Sequence, residues 1–519
     1  MRFGFCGGNY QSQSALVDAQ TSINWYPEQS ENPNSRVSWA LYPTYGLGLF
    51  CTLPTDANDT GTTKAVRGSY TINGRTFKVY GTHLFEILSG ATFTDYGGNH
   101  GITGGAANNN IVDDGLAVTM VAGGTASGQY PGQLLIASGG TLTAFNLATN
   151  AFVAITSAPT NVVMIDYVDG FFVALQSIND FQVSAVEDCT NWPGLSISQV
   201  SVYSDVLLSI IENNRMLWVF GAKRAVAYDT LDGGSIFPFG VITSSFMEVG
   251  LVAQFSPARV AYGAGTTIIW LAGDERGEAF VARANGFIPQ RVSDHALEYW
   301  LANQKTISDA VGFATRENGH NFYCLWFPSA NKTWVLDTDL GIWHQRSSLV
   351  GGKPAAHLAR CHTYNFGTHL VGDRTSGNVY TMSGSTYTDN GTPIIRTRVG
   401  PTVSTETKWM FVNEFQVDFE VGLGPEPPLT DANGNSRDPY AMFSYSRDFG
   451  KTFGNERMIP CGQAGNYLVR ATDRRLGKWR AWTPKVTVSD PIPWRIADGL
   501  LNPTQEAQER LSKIYAKMQ

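Results

Sequence analysis

The chain has 519 residues, 43% hydrophobic and 12% aromatic, which exceeds one ordinary domain and excludes extensive disorder. Lys+Arg 37 against Asp+Glu 44 gives a formal charge of −7, so the overall basic excess of a DNA-gripping protein is missing. The 54 glycines and 23 prolines break the chain into short segments, a texture of many strands rather than long helices.

In chain order, the N-terminus MRFGFCGGNYQSQS lacks the apolar segment of a secretory signal, and no apolar run approaches about 18 residues, so no membrane span is expected. Residues 1–63 read as an extended arm. NWYPEQSENPNS (Asn24–Ser35) is polar and broken by proline, and ALYPTYGLGLF (Ala40–Phe50) is apolar but interrupted by Pro43, Gly46 and Gly48. Such an arm buries its aromatic side chains only against its own body or a neighbouring subunit.

Between residues 64 and 398 one phrase recurs: a β-rich run, a Gly or Asn turn, a second β-rich run, then a polar break. The first copy is AVRGSYTINGRTFKVYGTHLFEIL (Ala65–Leu88), where Asn73-Gly74 predicts a type I′ hairpin turn. Further copies fall at Gln133–Ile155, Val162–Ala185, Leu208–Thr230, Ala258–Arg283, Asn318–Arg346 and His369–Met382. A period of roughly 48 residues is that of four-stranded propeller blades, and the loose spelling gives six to seven of them. The fold expected is all-β: an irregular β-propeller followed by a β-sandwich over 399–501, where KWMFVNEFQVDFEVG alternates as a half-buried strand. The tail 502–519 predicts an amphipathic helix, with Asn502 as cap, Pro503 at its first turn, and Ala507, Leu511, Ile514, Tyr515 and Met518 on one face.

Candidate chemistry is sparse. Ser446-x-Asp448-x-Gly450-x-Thr452-Phe453 is an Asp-box, a pattern shared with sialidases, but it occurs once and outside the propeller segment. Its Ser and Asp side chains suit hydrogen bonds to a hairpin backbone and its Gly suits a positive φ, so a structural role is expected. No flanking motif unites three of the arginines Arg67, Arg75, Arg224, Arg259, Arg276, Arg283 and Arg291 into a carboxylate-binding set. Asp113-Asp114 and Glu187-Asp188 are adjacent carboxylates of the kind usually solvated in loops. The cluster His357, Cys361, His362 and His369 reads as partly exposed loop histidines, since adjacent strand residues face opposite sides and cannot share a metal. The six cysteines lie far apart, without a CxxC pair, and are expected as free buried thiols. No catalytic residue, cofactor or metal is assigned. The basic run Arg470, Arg474, Arg475, Lys478 and Arg480, interleaved with Trp479 and Trp482, reads as a subunit contact or a DNA contact.

Three stretches together carry a family resemblance: Asn24-Trp25-Tyr26-Pro27-Glu28; Leu41-Tyr42-Pro43-Thr44-Tyr45-Gly46-Leu47, with Tyr45 where the family phrase has proline; and the Asp-box stretch Ser446–Glu456. The chain resembles the tail hub or nozzle proteins of short-tailed bacteriophages, the packaged-DNA stabilisation proteins of the phage P22 type. The resemblance implies a structural virion protein, made in the host bacterial cytoplasm and placed in the virion tail as a homohexameric ring. That ring would sit below the portal-adaptor protein, carry tail fibres or spikes outside and meet a needle or plug below. Double-stranded genomic DNA would be retained behind it and leave through its channel without sequence-specific binding. The arm around 24–50 would then pack on an adjoining subunit or the adaptor, and removing residues 1–50 would leave the β core folded. The alternative is a glycan-binding or glycan-cleaving propeller, a sialidase-like depolymerase.

Overall fold

Each repeat of the 64–398 segment folds as a small antiparallel sheet because its apolar runs alternate and its Gly or Asn turns accept positive φ. In the first, Val66–Ile72, Arg75–Tyr80, His83–Leu88 and Thr92–Asp95 pair in sequence order. The turn after Ile72 has φ of 50° at Asn73 and 74° at Gly74, the pair of positive values a type I′ hairpin requires. The computed structural model describes residues 3–54, 64–98, 110–177, 180–199, 205–231, 237–406, 408–425 and 428–502.

Among the described residues seven such strand groups follow one another around an axis, the sixth as part of a larger sheet, giving a β-propeller of seven blades. Their first strands line the axis: Val66–Ile72, Thr119–Gly123, Val162–Val168, Leu207–Asn213, Ala258–Tyr262, Val311–Glu317 and Ala359–Asn365. A lone four-stranded sheet leaves both apolar faces wet, and stacking removes them from water. Phe77, Val79 and Leu84 of the first blade pack on Leu134, Ile136 and Phe145 of the second. Equivalent clusters fill the later interfaces, up to Val66 and Phe85 against Leu370 and Val379 where the last blade meets the first. Among the described residues the one α-helix, His295–Ala302, joins blades five and six and is capped by Asp294, which accepts from the Leu297 amide at 2.7 Å.

The arm is not extended away from this body. Its strand Gly46–Thr52 is the fourth strand of blade seven, antiparallel to Asn378–Ser383 with Gly46 opposite Ser383 and Thr52 opposite Asn378. The N-terminus therefore closes the ring that the C-terminal end of the repeats leaves open. Gly46 is needed there, since a Cβ would lie 2.3 Å from the Thr386 carbonyl oxygen. Leu47 is fully buried between blades six and seven, a burial that stabilises by about 1.5–3 kcal/mol.

The rest of the arm is built into the sandwich. One sandwich sheet runs in the order Trp25–Gln29, Trp39–Pro43, Ile496–Leu501, Met410–Phe419, Ala471–Trp479. The other contains Ala19–Ile23, Arg396–Val399, Ala481–Val488, Tyr440–Ser446 and Arg457–Pro460. Phe5, Trp25, Phe415, Trp482 and Trp494 fill the space between them. Arg396–Val399, which the sequence boundary at 398/399 splits, belongs wholly to the sandwich. The second sheet is continuous with blade six through Ala19–Ile23, whose Ile23 is paired with Gln345, giving one sheet of 12 strands. The expected C-terminal helix at 502–519 lies outside the described residues save Asn502, which accepts from the Asn413 and Glu414 amides through Oδ1. All six cysteines are free, four of them buried and Cys6 and Cys361 half-buried. No helix among the described residues is long and apolar enough to cross a membrane.

Candidate functional site

The motif Asn24 to Glu28 sits on the seam between propeller and sandwich. Asn24 is buried at φ 58°, the left-handed turn that carries the chain from one sandwich sheet to the other. Strand alternation then sends Trp25 into the sandwich core and Tyr26 into blade six, against Phe322, Cys324 and Val335. The Tyr26 hydroxyl accepts from Asn318 Nδ2 at 3.0 Å, and the Tyr45 hydroxyl donates to Asn318 Oδ1 at 2.7 Å. Tyr42 stacks on Tyr26 at 6.0 Å. Pro27 and Pro43 lie opposite Leu41 and Trp25, where Pro27 is tolerated because its strand is a sheet edge. Glu28 reaches His320 at 3.9 Å. Trp25 and Tyr26 are thus buried against the chain's own body, one of the two coverings the sequence left open, while Trp39, Tyr42, Tyr45 and Phe50 are half-buried.

In the Asp-box the Ser446 hydroxyl donates to Asp448 Oδ1 at 2.6 Å and accepts from the Gly450 amide at 2.8 Å. Asp448 accepts from the Thr452 amide at 2.9 Å and from its hydroxyl at 2.6 Å. Gly450 has φ 86°. These bonds, Ser446 first and then Thr452, hold the Asp448 carboxyl well below the usual carboxylate range. Phe453 is half-buried, with Lys485 Nζ 5.6 Å from its ring. The atoms an acid–base role would use are occupied by the hairpin between Tyr440–Ser446 and Arg457–Pro460.

Most of the other candidate groups are engaged too, while Arg276 is exposed. Arg67 pairs with Asp113 and Asp114, Arg75 with Glu86, Arg224 with Glu275, Arg259 with Asp166 and Glu212, and Arg291 with Glu298. Arg283 lies 3.8 Å over the Tyr262 ring. Glu187 accepts from Thr125 at 2.6 Å, and Asp188 caps the turn at Thr190. Of the histidines expected as partly exposed loop residues, His357 is buried between strands, with its pKa pushed down to about 3 by that burial, while His362 and His369 are partly exposed but lie on strands. His362, on Ala359–Asn365, is 2.9 Å from His369 across the hairpin. One group that sequence spacing did not reveal is His320, Asp337 and Asp339, whose ligand atoms lie within 4.8 Å of one another. Asp337 already accepts from the Asp339 and Leu340 amides through Oδ1 and contacts His320 through Oδ2, so this group closes a turn.

Arg470, Arg474, Arg475, Lys478 and Arg480 are all exposed, clustered along Ala471–Trp479, the free edge of its sheet. Trp479 and Trp482 are buried in the sandwich core and offer no stacking face. The aromatic side chains exposed beside the basic groups are Trp409 and Phe411 on the neighbouring chain segment, at 54% and 66% accessibility. Lys478 Nζ and Arg480 Cζ lie 4.8 and 4.7 Å from the Trp409 ring. The signal for Trp409 and Phe411 was present in the alternation of KWMFVNEF, which places them opposite the inward-facing Met410, half-buried, and Val412, buried.

Residues 46–387 match the family model described as bacteriophage P22 Gp10, beta-propeller, and residues 395–498 the one described as bacteriophage P22 Gp10, beta-sandwich. The first begins at the strand that closes blade seven. Comparison with curated proteins gives no match. Similar solved structures include the computationally designed Ika8 protein (10% identity, TM-score 0.36, 64% of this chain and 99% of that one). Others are the WD40 beta propeller domain of Doa1 (9%, 0.37, 65% and 97%) and the extracellular domain of BT4673 from B. thetaiotaomicron (11%, 0.40, 85% and 56%). A seven-bladed propeller, a sandwich fused to it through blade six and two consecutive family matches agree: this chain belongs to the family of bacteriophage P22 Gp10, structural proteins of the phage tail.

Proposed function

We propose that the chain forms the ring-shaped hub, or nozzle, of a short-tailed phage, seated on the portal-adaptor ring. It closes the channel behind which packaged duplex DNA is retained and conducts that DNA at ejection. Membership of the P22 Gp10 family over both domains carries this reading. The 12-stranded sheet shared by blade six and the sandwich supports it, because one continuous sheet makes each subunit a stiff wedge rather than two hinged lobes. Wedges joined head to tail under cyclic symmetry give a closed ring, six-fold by the family resemblance. A charge of −7 per subunit suits a conduit that must not hold the phosphates passing it.

The partners are therefore other copies of the chain, the adaptor protein, fibres or spikes outside and a needle or plug below. Its place is the virion tail, after synthesis in the host bacterial cytoplasm. No bond is made or broken by it in this reading, which the engagement of Asp113, Asp114, Glu187, Asp188 and Asp448 with an arginine, a hydroxyl and turn amides supports. The test is a phage carrying a stop codon early in this gene. Heads that fill and then leak DNA support the reading, and particles that keep and eject their genomes normally contradict it.

A further inference from the structure

The five-stranded sandwich sheet ends in two edges of opposite charge. One edge strand, Ala471–Trp479, carries Arg474, Arg475 and Lys478, with Arg480 next to them and Trp409 and Phe411 exposed alongside. The opposite edge strand, Trp25–Gln29, carries Glu28 and leads into Glu31. With Asp339 these line a cleft of about 860 Å³ that also includes Asn318, Gly319, Leu340 and His320, the last 3.9 Å from Glu28, so the carboxylates outnumber the one basic group. Four strand spacings of about 4.8 Å put the edges about 19 Å apart, so they do not neutralise each other within one chain.

Charge on an edge strand can serve only to stop strands from adding to it. That role accounts for the lysine and arginines and leaves Trp409 and Phe411 unexplained. A half-exposed tryptophan and phenylalanine flanked by Lys and Arg have the composition of an interface anchor. Duplex DNA is the weaker occupant, because its bases are already stacked and offer these rings no face, and because Glu414 and Asp473 lie inside the patch, paired with Arg474 and Arg457. An acidic cleft of side-chain-receiving size, within the roughly 300–1,000 Å³ of ordinary binding sites, stands at the other edge of the same sheet.

We propose that Trp409, Phe411, Lys478 and Arg480 of one copy dock into the Glu28–Glu31–Asp339 cleft of the next. This rests on the ring proposed above and assigns its contact: heterologous, because two different surfaces of the same chain meet, and so able to close into a ring. The side chains of Lys478 and Arg480 meet the carboxylates while the two rings enter the cleft.

The test uses two variants of the full chain, each checked for native fold by circular dichroism. One is Lys478→Glu/Arg480→Glu and the other Glu28→Lys/Glu31→Lys. Sedimentation velocity should show that each alone associates at least about tenfold more weakly than the native chain. An equimolar mixture should recover association, since native meets native and reversed meets reversed at alternating contacts. Native-like association of either variant alone, or loss without recovery in the mixture, overturns the pairing. Loss of duplex-DNA retention with an intact ring in the first variant overturns it too, and makes the edge a DNA contact. A native chain that stays monomeric, with and without the adaptor ring, instead removes the ring reading itself.

Discussion

Asn24 and Ser347 are 323 residues apart and exchange two hydrogen bonds: Asn24 Nδ2 donates to the Ser347 carbonyl at 2.8 Å, and the Ser347 backbone amide donates to Asn24 Oδ1 at 2.9 Å. A third bond joins Asn24 to the Ile395 carbonyl at 2.8 Å. One side chain thus ties the arm, blade six and the start of the sandwich strand Arg396–Val399 at the point where three segments converge. Replacing it with Ala removes all three bonds and leaves an alanine at φ 58°. The expected loss is about 2–4 kcal/mol from unsatisfied buried groups and left-handed strain. Asn24→Gly, which keeps the turn, should lose roughly 1–2 kcal/mol less. Urea unfolding of both variants checks this, and equal midpoints for the two would show that the turn carries no strain.

The propeller should not survive loss of the arm. Removing residues 1–50 takes away most of the strand that closes blade seven, together with three sandwich strands, Ala19–Ile23, Trp25–Gln29 and Trp39–Pro43. This reverses the outcome expected when the segment is read as a detachable arm. Near-ultraviolet circular dichroism should show tertiary packing lost in the truncated protein, and a native spectrum would contradict the closure. Gly46→Ala probes the same strand more gently, through the Thr386 carbonyl oxygen 2.3 Å from the added carbon. Overpacking of this kind costs about 1–3 kcal/mol.

The blades were legible and the closure was not, for a physical reason. Alternation and an Asn-Gly turn are local, so Val66–Ile72 and Arg75–Tyr80 can be read from adjacent residues. The partner of Gly46–Thr52 lies more than 320 residues away, and nothing in GLGLFCT specifies it. The Asp-box was readable because its bonds span only a few residues. The facing of Trp479 was not, since Arg475 at φ 61° and Gly477 at φ 86° break the strand's alternation just before it.

Acid should weaken the fold through His357. Its folded pKa of about 3 lies below the ordinary 6.5, so the unfolded chain takes up a proton that the folded chain refuses. Stability from this residue is complete above pH 6.5 and is lost as pH falls toward 3, by about 1.4 kcal/mol per unit. His357→Gln should flatten that part of the stability profile measured by urea titration between pH 7 and about 4. An unchanged slope would mean that His357 is solvated.

Asp448 acts in the same sense, over a lower pH range. Its carboxyl is held below the usual range by Ser446 and Thr452, so its contribution is present above its ordinary pKa and is lost only in strong acid. Asp448→Asn should speed hydrogen exchange at the Thr452 amide at neutral pH while leaving blade amides unchanged. Faster exchange throughout the propeller would contradict a local hairpin role.

The most direct measurement of the central claim is an electron cryomicroscopy reconstruction of the virion tail with this chain tagged. A closed ring of tagged subunits around the DNA channel, below the adaptor, is the predicted result. Tag density confined to peripheral fibres, with the channel walled by another protein, would contradict it.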